Sequence, residues 1–320
     1  MAASAWTYYR GAAAVMAADL ASQPDSGLEV QLCGDAHVLN FGLWATPERN
    51  LSAVLAGVEA YRRSMRRYTT MPELGIWYDG MHVDRLMSYY EPADRGQVKI
   101  HIEKQRRRRT SRGAFAKLTT MAQGRPRIST DPPLRVTISD EEQADLVDHF
   151  LAEYRLTPPG GPPDSVRPVQ RGRYRLFLQV KQAGPSEYES HTKPSRYDNH
   201  GARVINGKRL VQTATDIFVG WGSFHGRDYY VRQFRDMKII PTTTLIAPQL
   251  TEFATACGEA LARAHARTGD PVAINGYIGT GPKFAAAIGR FARVYADQNE
   301  RDHAQLVQAS AAGAVESLPG

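Results

Sequence analysis

Asp35 and Asn40 stand five apart in Gly-Asp-Ala-His-Val-Leu-Asn-Phe-Gly, residues 34 to 42, directly after the apolar run Leu28 to Cys33. That spacing is the catalytic-loop spacing of phosphoryl-transfer enzymes. An aspartate there orients or deprotonates the attacking hydroxyl, and an asparagine one loop later holds Mg²⁺ on the nucleotide phosphates. His37, inside the same stretch, reads as a residue that keeps the loop's shape by hydrogen bonding, with a general-base role as the alternative. Asp and Asn flanked by Gly also build ordinary turns, and that reading stands beside the catalytic one.

Such a loop needs a strand to deliver it and helices to hold it. Leu28 to Cys33 reads as a buried strand feeding Asp35, preceded by a helix over 5 to 21 with Tyr9, Ala13, Met16 and Leu20 on one face. A second amphipathic helix is expected from Ser52 to Tyr68, burying Val54, Val58, Tyr61, Met65 and Tyr68. Segments 72 to 91 and 95 to 122 read as helical, and Ser139 with Glu142 forms a capping box opening a helix that runs to Tyr154. Residues 157 to 168 hold five prolines and read as a linker or irregular loop. Beyond them, Tyr174 to Lys181 alternates as a strand, with Tyr174, Leu176, Leu178 and Val180 on one face and Arg175, Phe177, Gln179 and Lys181 on the other. Ile217 to Trp221 and Tyr229 to Met237 make a further strand pair joined by a turn. The chain then returns to helix, with Leu250, Phe253, Cys257 and Leu261 as a stripe ended by Gly269 and Pro271, and a last helix over 283 to 308. This divides the chain into a helical part (1–156), the linker (157–168), a β-rich part (169–240) and a helical C-terminal part (241–320), together one domain of α+β class.

The bulk numbers bound the function. A chain of 320 residues with 42% hydrophobic and 23% charged residues is globular rather than disordered. It has no apolar run near the ~18 residues that span a bilayer, and Arg10 and Asp19 interrupt the N-terminal stretch where a signal peptide would be apolar. Cys33 and Cys257 both lie in apolar periodic segments and read as buried hydrophobes, so a reducing cytoplasm is the expected setting and no membrane is a partner. The net charge of +7 favours an anionic partner. The densest basic run, Lys104 to Arg112, is a phosphate-backbone contact for nucleic acid or a solvated helix face, and the absence of interleaved aromatic residues favours the second. His191, His200, His265 and His303 have no metal-ligand spacing and read as loop or capping residues. No Gly-x-Ser-x-Gly elbow or paired zinc motif occurs.

The Gly-Asp-x-His form resembles that of small-molecule kinases of the aminoglycoside-phosphotransferase type. The strings TYYRGAAAVMAADLA, VQLCGDAHVLNFGLWATPER, FLQVKQA, TDIFVGW, YYVRQFRDMK, LARAHARTGD and YADQNERDH resemble, in order and over most of the chain, the bacterial family called domain of unknown function 2252. The resemblance implies a protein-kinase-like (aminoglycoside-phosphotransferase-like) fold whose parts are circularly permuted, with the catalytic loop ahead of the nucleotide-lobe strands. It implies an ATP- and Mg²⁺-dependent transferase acting on an unnamed small-molecule or protein acceptor. On that pattern Asp35 and His37 are the catalytic residues, Asn40 a metal ligand, and Lys181 the phosphate partner. Arg232 and Lys238 come from a motif shared with the family and serve the nucleotide site or a salt bridge.

The chain departs from the family in four places. An Asn-Asp-Phe-Asp-Glu-Thr segment with the second metal-binding aspartate is missing where Asn50-Leu51 runs into the Ser52 helix. A Gly-rich phosphate-cradling stretch is replaced by the proline-rich residues 157 to 168. Gln182 stands where glutamate is frequent, and Met1-Ala-Ala-Ser resembles an internal point of the family. These departures imply a shortened, internally deleted member with weakened or lost catalysis. Asp216 replaces the lost metal ligand only if the fold brings it beside Asn40, and a turn or strand-cap role is the simpler reading. The competing expectation is a non-catalytic binding protein whose basic surface holds an anionic partner, nucleic acid or a phosphorylated ligand.

Overall fold

The computed structural model describes residues 1–33, 51–80, 87–88, 90–108, 119–122, 125–130, 139–155, 178–212, 218–233 and 250–315. In chain order its helices and strands are α1 (Ala5–Gly11), α2 (Ala13–Ala21), α3 (Leu51–Tyr68), α4 (Glu73–Tyr78), α5 (Pro92–Arg108), β1 (Thr119–Ala122), β2 (Arg125–Ile128), α6 (Asp140–Asp145), α7 (Leu151–Arg155), β3 (Leu178–Ala183), α8 (His200–Val211), β4 (Gly220–Phe224), β5 (Arg227–Gln233), α9 (Leu250–Thr268), α10 (Pro271–Ile278) and α11 (Lys283–Ala311). The protein is helix-rich with small antiparallel sheets, an α+β architecture. Two compact units share these elements: Met1–Pro92 with Glu187–Lys193 and Pro241–Gly320, and Ala93–Ser186 with Pro194–Ile240. Among the described residues, no helix is long and apolar enough to cross a membrane.

The first unit is built on α3 and α9. Val54, Val58, Met65 and Tyr68 are buried and Tyr61 is half-buried, on the stripe that the periodicity predicts. Ala53 packs with Leu250 and Ala254, Gly57 lies beside Gly258, and Tyr61 meets His265, so the two helices run parallel. Their approach is close enough that a Cβ on Gly258 would come 2.0 Å from the Gly57 carbonyl oxygen. Met65, Tyr68, Ile76, Ala262, Ala266, Ile274 and Ile278 join α3, α4, α9 and α10 into one core, with Leu28 and Val30 packed against it.

Three sequence expectations change in this unit. The helix over 5 to 21 is two, broken at Ala12 (φ −103°, ψ 38°), directly after Gly11, which lowers helical propensity at the joint. Within 72 to 91 the longest helix among the described residues is α4, which ends at Tyr78. Residues 28–33 form no strand: the described part of this unit has no strand to pair with them, and Leu32 is 49% exposed.

The second unit holds a three-stranded antiparallel sheet in the order β3-β5-β4. Val180 pairs with Val231 and Gly220 with Val231, while Lys181 and Trp221 both stand opposite Tyr230. Alternation therefore gives two faces. One face packs Val231 and Tyr229 against Phe150 and Tyr154, and Gly222 leaves room for the Phe150 ring, whose nearest atom lies 3.1 Å from where a Cβ would stand. Phe150 closes a π-turn, Leu146–Phe150, set between α6 and α7. The predicted capping box is present: the Ser139 N–H donates to Glu142 Oε2 (2.8 Å) and the Glu142 N–H donates to Ser139 Oγ (3.1 Å).

Within the described residues the expected strand pair 217 to 221 and 229 to 237 appears as β4 and β5, which also take in residues 222–224 and 227–228; residues 217 and 234–237 lie outside the described residues. A tight turn at His225 (φ 50°) and Gly226 (φ 69°) joins β4 to β5, and the left-handed backbone there suits glycine at the second position. Of the expected helix 95 to 122, α5 covers the first part. Thr119–Ala122 is instead a strand paired with β2, as its β-branched threonines favour.

Candidate functional site

Two expected site residues, Lys181 and Arg232, lie on described strands, and the structure brings them to one face of one sheet. Lys181 is exposed on β3 opposite Tyr230, and Arg232 lies two residues along β5 from Tyr230. Arg232 donates from Nε (3.0 Å) and Nη2 (2.9 Å) to Oε1 of Gln179, its cross-strand partner. That bond holds the guanidinium along the sheet beside Lys181. Asp35, His37, Asn40 and Lys238 lie outside the described residues, as do Asp216 and the side chains of the basic run from Lys104.

Helix α8, which follows the Lys181 strand, packs on that same sheet face. Its N-terminus is tied to β4 and β5: Asn199 Oδ1 accepts the Ala202 N–H (2.9 Å), and Asn199 Nδ2 donates to Ser223 Oγ and to Asp228 Oδ1, both at 2.9 Å. Asp228 Oδ2 accepts the His200 N–H at 2.8 Å, a carboxylate where the helix dipole favours one. A Cβ on Gly201 would come 2.1 Å from the Tyr229 carbonyl oxygen, so only glycine permits this approach. At the other end Arg209 stacks over Trp221, 5.6 Å from the ring centre, and burial lowers its basicity. The twelve residues of α8 include no Asp or Glu, so this helix offers Lys181 no carboxylate of the kind that kinases pair with their strand lysine.

In the first unit, the chain approaching Asp35 is held at the C-terminal end of α9. The Gln31 N–H donates to Thr268 Oγ1 at 3.1 Å, and a Cβ on Gly269 would come 2.8 Å from the Glu29 carbonyl oxygen. The Glu29 carboxylate pairs with Lys193 Nζ. Burial pushes the Cys33 thiol up, which keeps it a thiol and not a nucleophilic thiolate. Cys33 and Cys257 are both free, and burial pushes Cys257 up to about 12.

One turn back along α9, His265 Nδ1 lies 2.8 Å from the Tyr61 hydroxyl. Burial holds the imidazole neutral, with its pKa down at about 4, and pushes the Tyr61 phenol up. With both groups neutral, one proton serves the pair, carried by the phenol in one imidazole tautomer and by Nδ1 in the other. His265 is thus a half-buried residue in the last turn of α9 rather than a loop residue. Arg267, 8% exposed, donates to the carbonyls of Ile76 (3.2 Å), Trp77 (2.6 Å) and Asp79 (3.2 Å), satisfying the acceptors at the end of α4. Asp79 accepts from Arg67 Nη2 (2.6 Å) and from the Tyr68 hydroxyl. Sequence periodicity does not single out this polar corner, because its members are separated by up to 191 positions. Among the described residues, no group of three or more His, Cys, Asp or Glu side chains is arranged to hold a metal ion.

No curated protein and no solved structure matches the chain. The bacterial family described as an uncharacterised conserved protein, DUF2252, matches residues 1–53, 51–167 and 165–309. Those segments run through nearly all of the 320 residues, and the chain belongs to the DUF2252 family.

Proposed function

We propose that the protein is a phosphotransferase of circularly permuted, kinase-like architecture that binds Mg-ATP and acts on a hydroxyl-bearing acceptor, with turnover reduced by its missing segments. The observation that carries this reading is the anchoring of residues 28–33, which lead into Asp35, on the C-terminal end of α9 through Thr268 and Gly269. Kinases of this class place such a helix immediately before the catalytic loop. Gln31, four residues before Asp35 in sequence, is hydrogen-bonded to Thr268 across 237 positions, a contact that a permuted connection would need. A Lys-bearing strand followed by a helix on the same sheet face gives second support.

In this reading Mg-ATP supplies the transferable phosphoryl group and an activated leaving group. Asp35 would accept the acceptor's hydroxyl proton, Asn40 would hold the metal, and His37 would fix the loop. Lys181 would meet the nucleotide phosphates, and Lys238 would serve the nucleotide site or a salt bridge. Arg232, engaged with Gln179, orients the sheet face rather than gripping phosphate directly. Each electrostatic contact missing from such a site costs about 10²–10³ in rate, which is the basis for expecting slow turnover.

Calorimetric titration with Mg-ATP tests the proposal. Saturable binding by the wild type, weakened about tenfold or more in Lys181→Ala, is the expected result. No heat from folded protein overturns it. Salt-sensitive RNA binding lost on neutralising Arg106 to Arg109 would then place the protein with anion-binding proteins instead.

A further inference from the structure

Arg263 is a buried cation on α9, 8% exposed, and its Nε finds no hydrogen-bonding partner among the described residues. A guanidinium withdrawn from water with a donor unsatisfied is costly. Such groups are few in native proteins, and an ion is one of the explanations that each requires. The surroundings sharpen the case. Arg267 lies one turn further along the same helix and is equally buried, with Nε and Nη2 donating to main-chain carbonyls at the end of α4. Arg67 pairs with Asp79, which also accepts the Tyr68 hydroxyl. The charges of this corner also act on one another. Burial, and then the like charge of Arg263, lower the basicity of Arg267. Burial and Asp79 push Tyr68 up to about 12, while Arg67 and Arg263 pull it the other way. Arg67 and the Tyr68 hydroxyl thus already occupy the Asp79 carboxylate, while Arg263 and Arg267 stand one turn apart on α9 beside them. The corner reaches solvent on the Arg67 side, where that side chain is 42% exposed.

We propose that the corner of Arg67, Tyr68, Asp79, Arg263 and Arg267 binds a phosphate-class oxyanion, with Arg263 as the principal donor. The planar fork of a guanidinium matches a tetrahedral oxyanion through paired N–H donors, and the excess positive charge supplies the attraction. The site goes beyond the nucleotide reading and stands on residues that play no part in it.

The test is the melting temperature of the full chain at constant ionic strength, with chloride replaced by inorganic phosphate or by glycerol 3-phosphate. Phosphate at about tenfold excess over its Kd is expected to raise Tm by about 3 °C. Arg263→Met should abolish that rise and be no less stable than the wild type in phosphate-free buffer. Arg67→Gln, on the solvent side, keeps the fold and should weaken the response several-fold, so it decides the matter if Arg263→Met does not fold. A response to both ligands supports a phosphoryl end group, and a response to inorganic phosphate alone supports a free ion. The proposal is overturned if the wild type shows no rise, or if the rise survives in the variants.

Discussion

His265 shows how burial sets chemistry at a single residue. An unfolded chain protonates this histidine near pH 6.5, whereas the folded protein does so only near pH 4. Its contribution to stability is therefore complete above the unfolded value and is lost as pH falls from about 6.5 towards 4, on the order of 3 kcal/mol in all. Thermal melts of wild type and His265→Gln across pH 4 to 7 check this, and the variant should lose less stability on acidification. Tyr61→Phe removes the hydroxyl beside Nδ1, so at pH 7 it should cost about 1–3 kcal/mol, read from a chemical denaturation curve. Equal pH profiles for wild type and His265→Gln would mean that water reaches the imidazole.

At the scale of elements, the closest contact is between helices. Gly57 and Gly258 let α3 and α9 approach until main chain meets main chain, and a methyl at Gly258 would overlap the Gly57 carbonyl. Backbone cannot yield as a flexible side chain can, so Gly258→Ala must push the helices apart along the whole Ala-rich seam. The expected cost is about 3 kcal/mol, visible as a lower denaturation midpoint, and an unchanged midpoint would contradict the parallel packing. The α8 contact follows the same logic at Gly201, with Asn199 and Asp228 adding a cap. Both helices that carry site-bearing neighbours are thus seated by a glycine against a carbonyl.

For the whole molecule, the phosphotransferase reading separates binding from chemistry. Asp35→Asn should leave Mg-ATP affinity within about twofold of wild type while reducing phosphoryl transfer by about 10²–10³, because the carboxylate acts on the acceptor and not on the nucleotide. Isothermal titration beside a radiolabelled turnover assay measures the two quantities. Loss of binding in Asp35→Asn would move this residue from catalysis to nucleotide or fold support.

Local order in this protein was legible from residues alone. The α3 stripe, the Ser139–Glu142 capping box, the free cysteines and the mixed α+β class all follow from period, capping chemistry and composition, which act over a few neighbours. Where a partner lies far along the chain, local pattern misleads. Leu28 to Cys33 reads as an apolar run of buried-strand type, yet the main chain at Gln31 bonds a threonine hydroxyl at the end of a helix. Residues 119–122 sit in a stretch that reads as helix, and pairing with β2 makes them a strand. Lys181 and Arg232 were both named from sequence, but their shared sheet face follows only from the β3–β5 register. The Arg267 clamp, the neutral His265 and the unsatisfied Arg263 were decided by tertiary structure alone. Their properties arise from desolvation and from partners 190 and 204 positions away, and neither is written in the spacing of side chains along one helix.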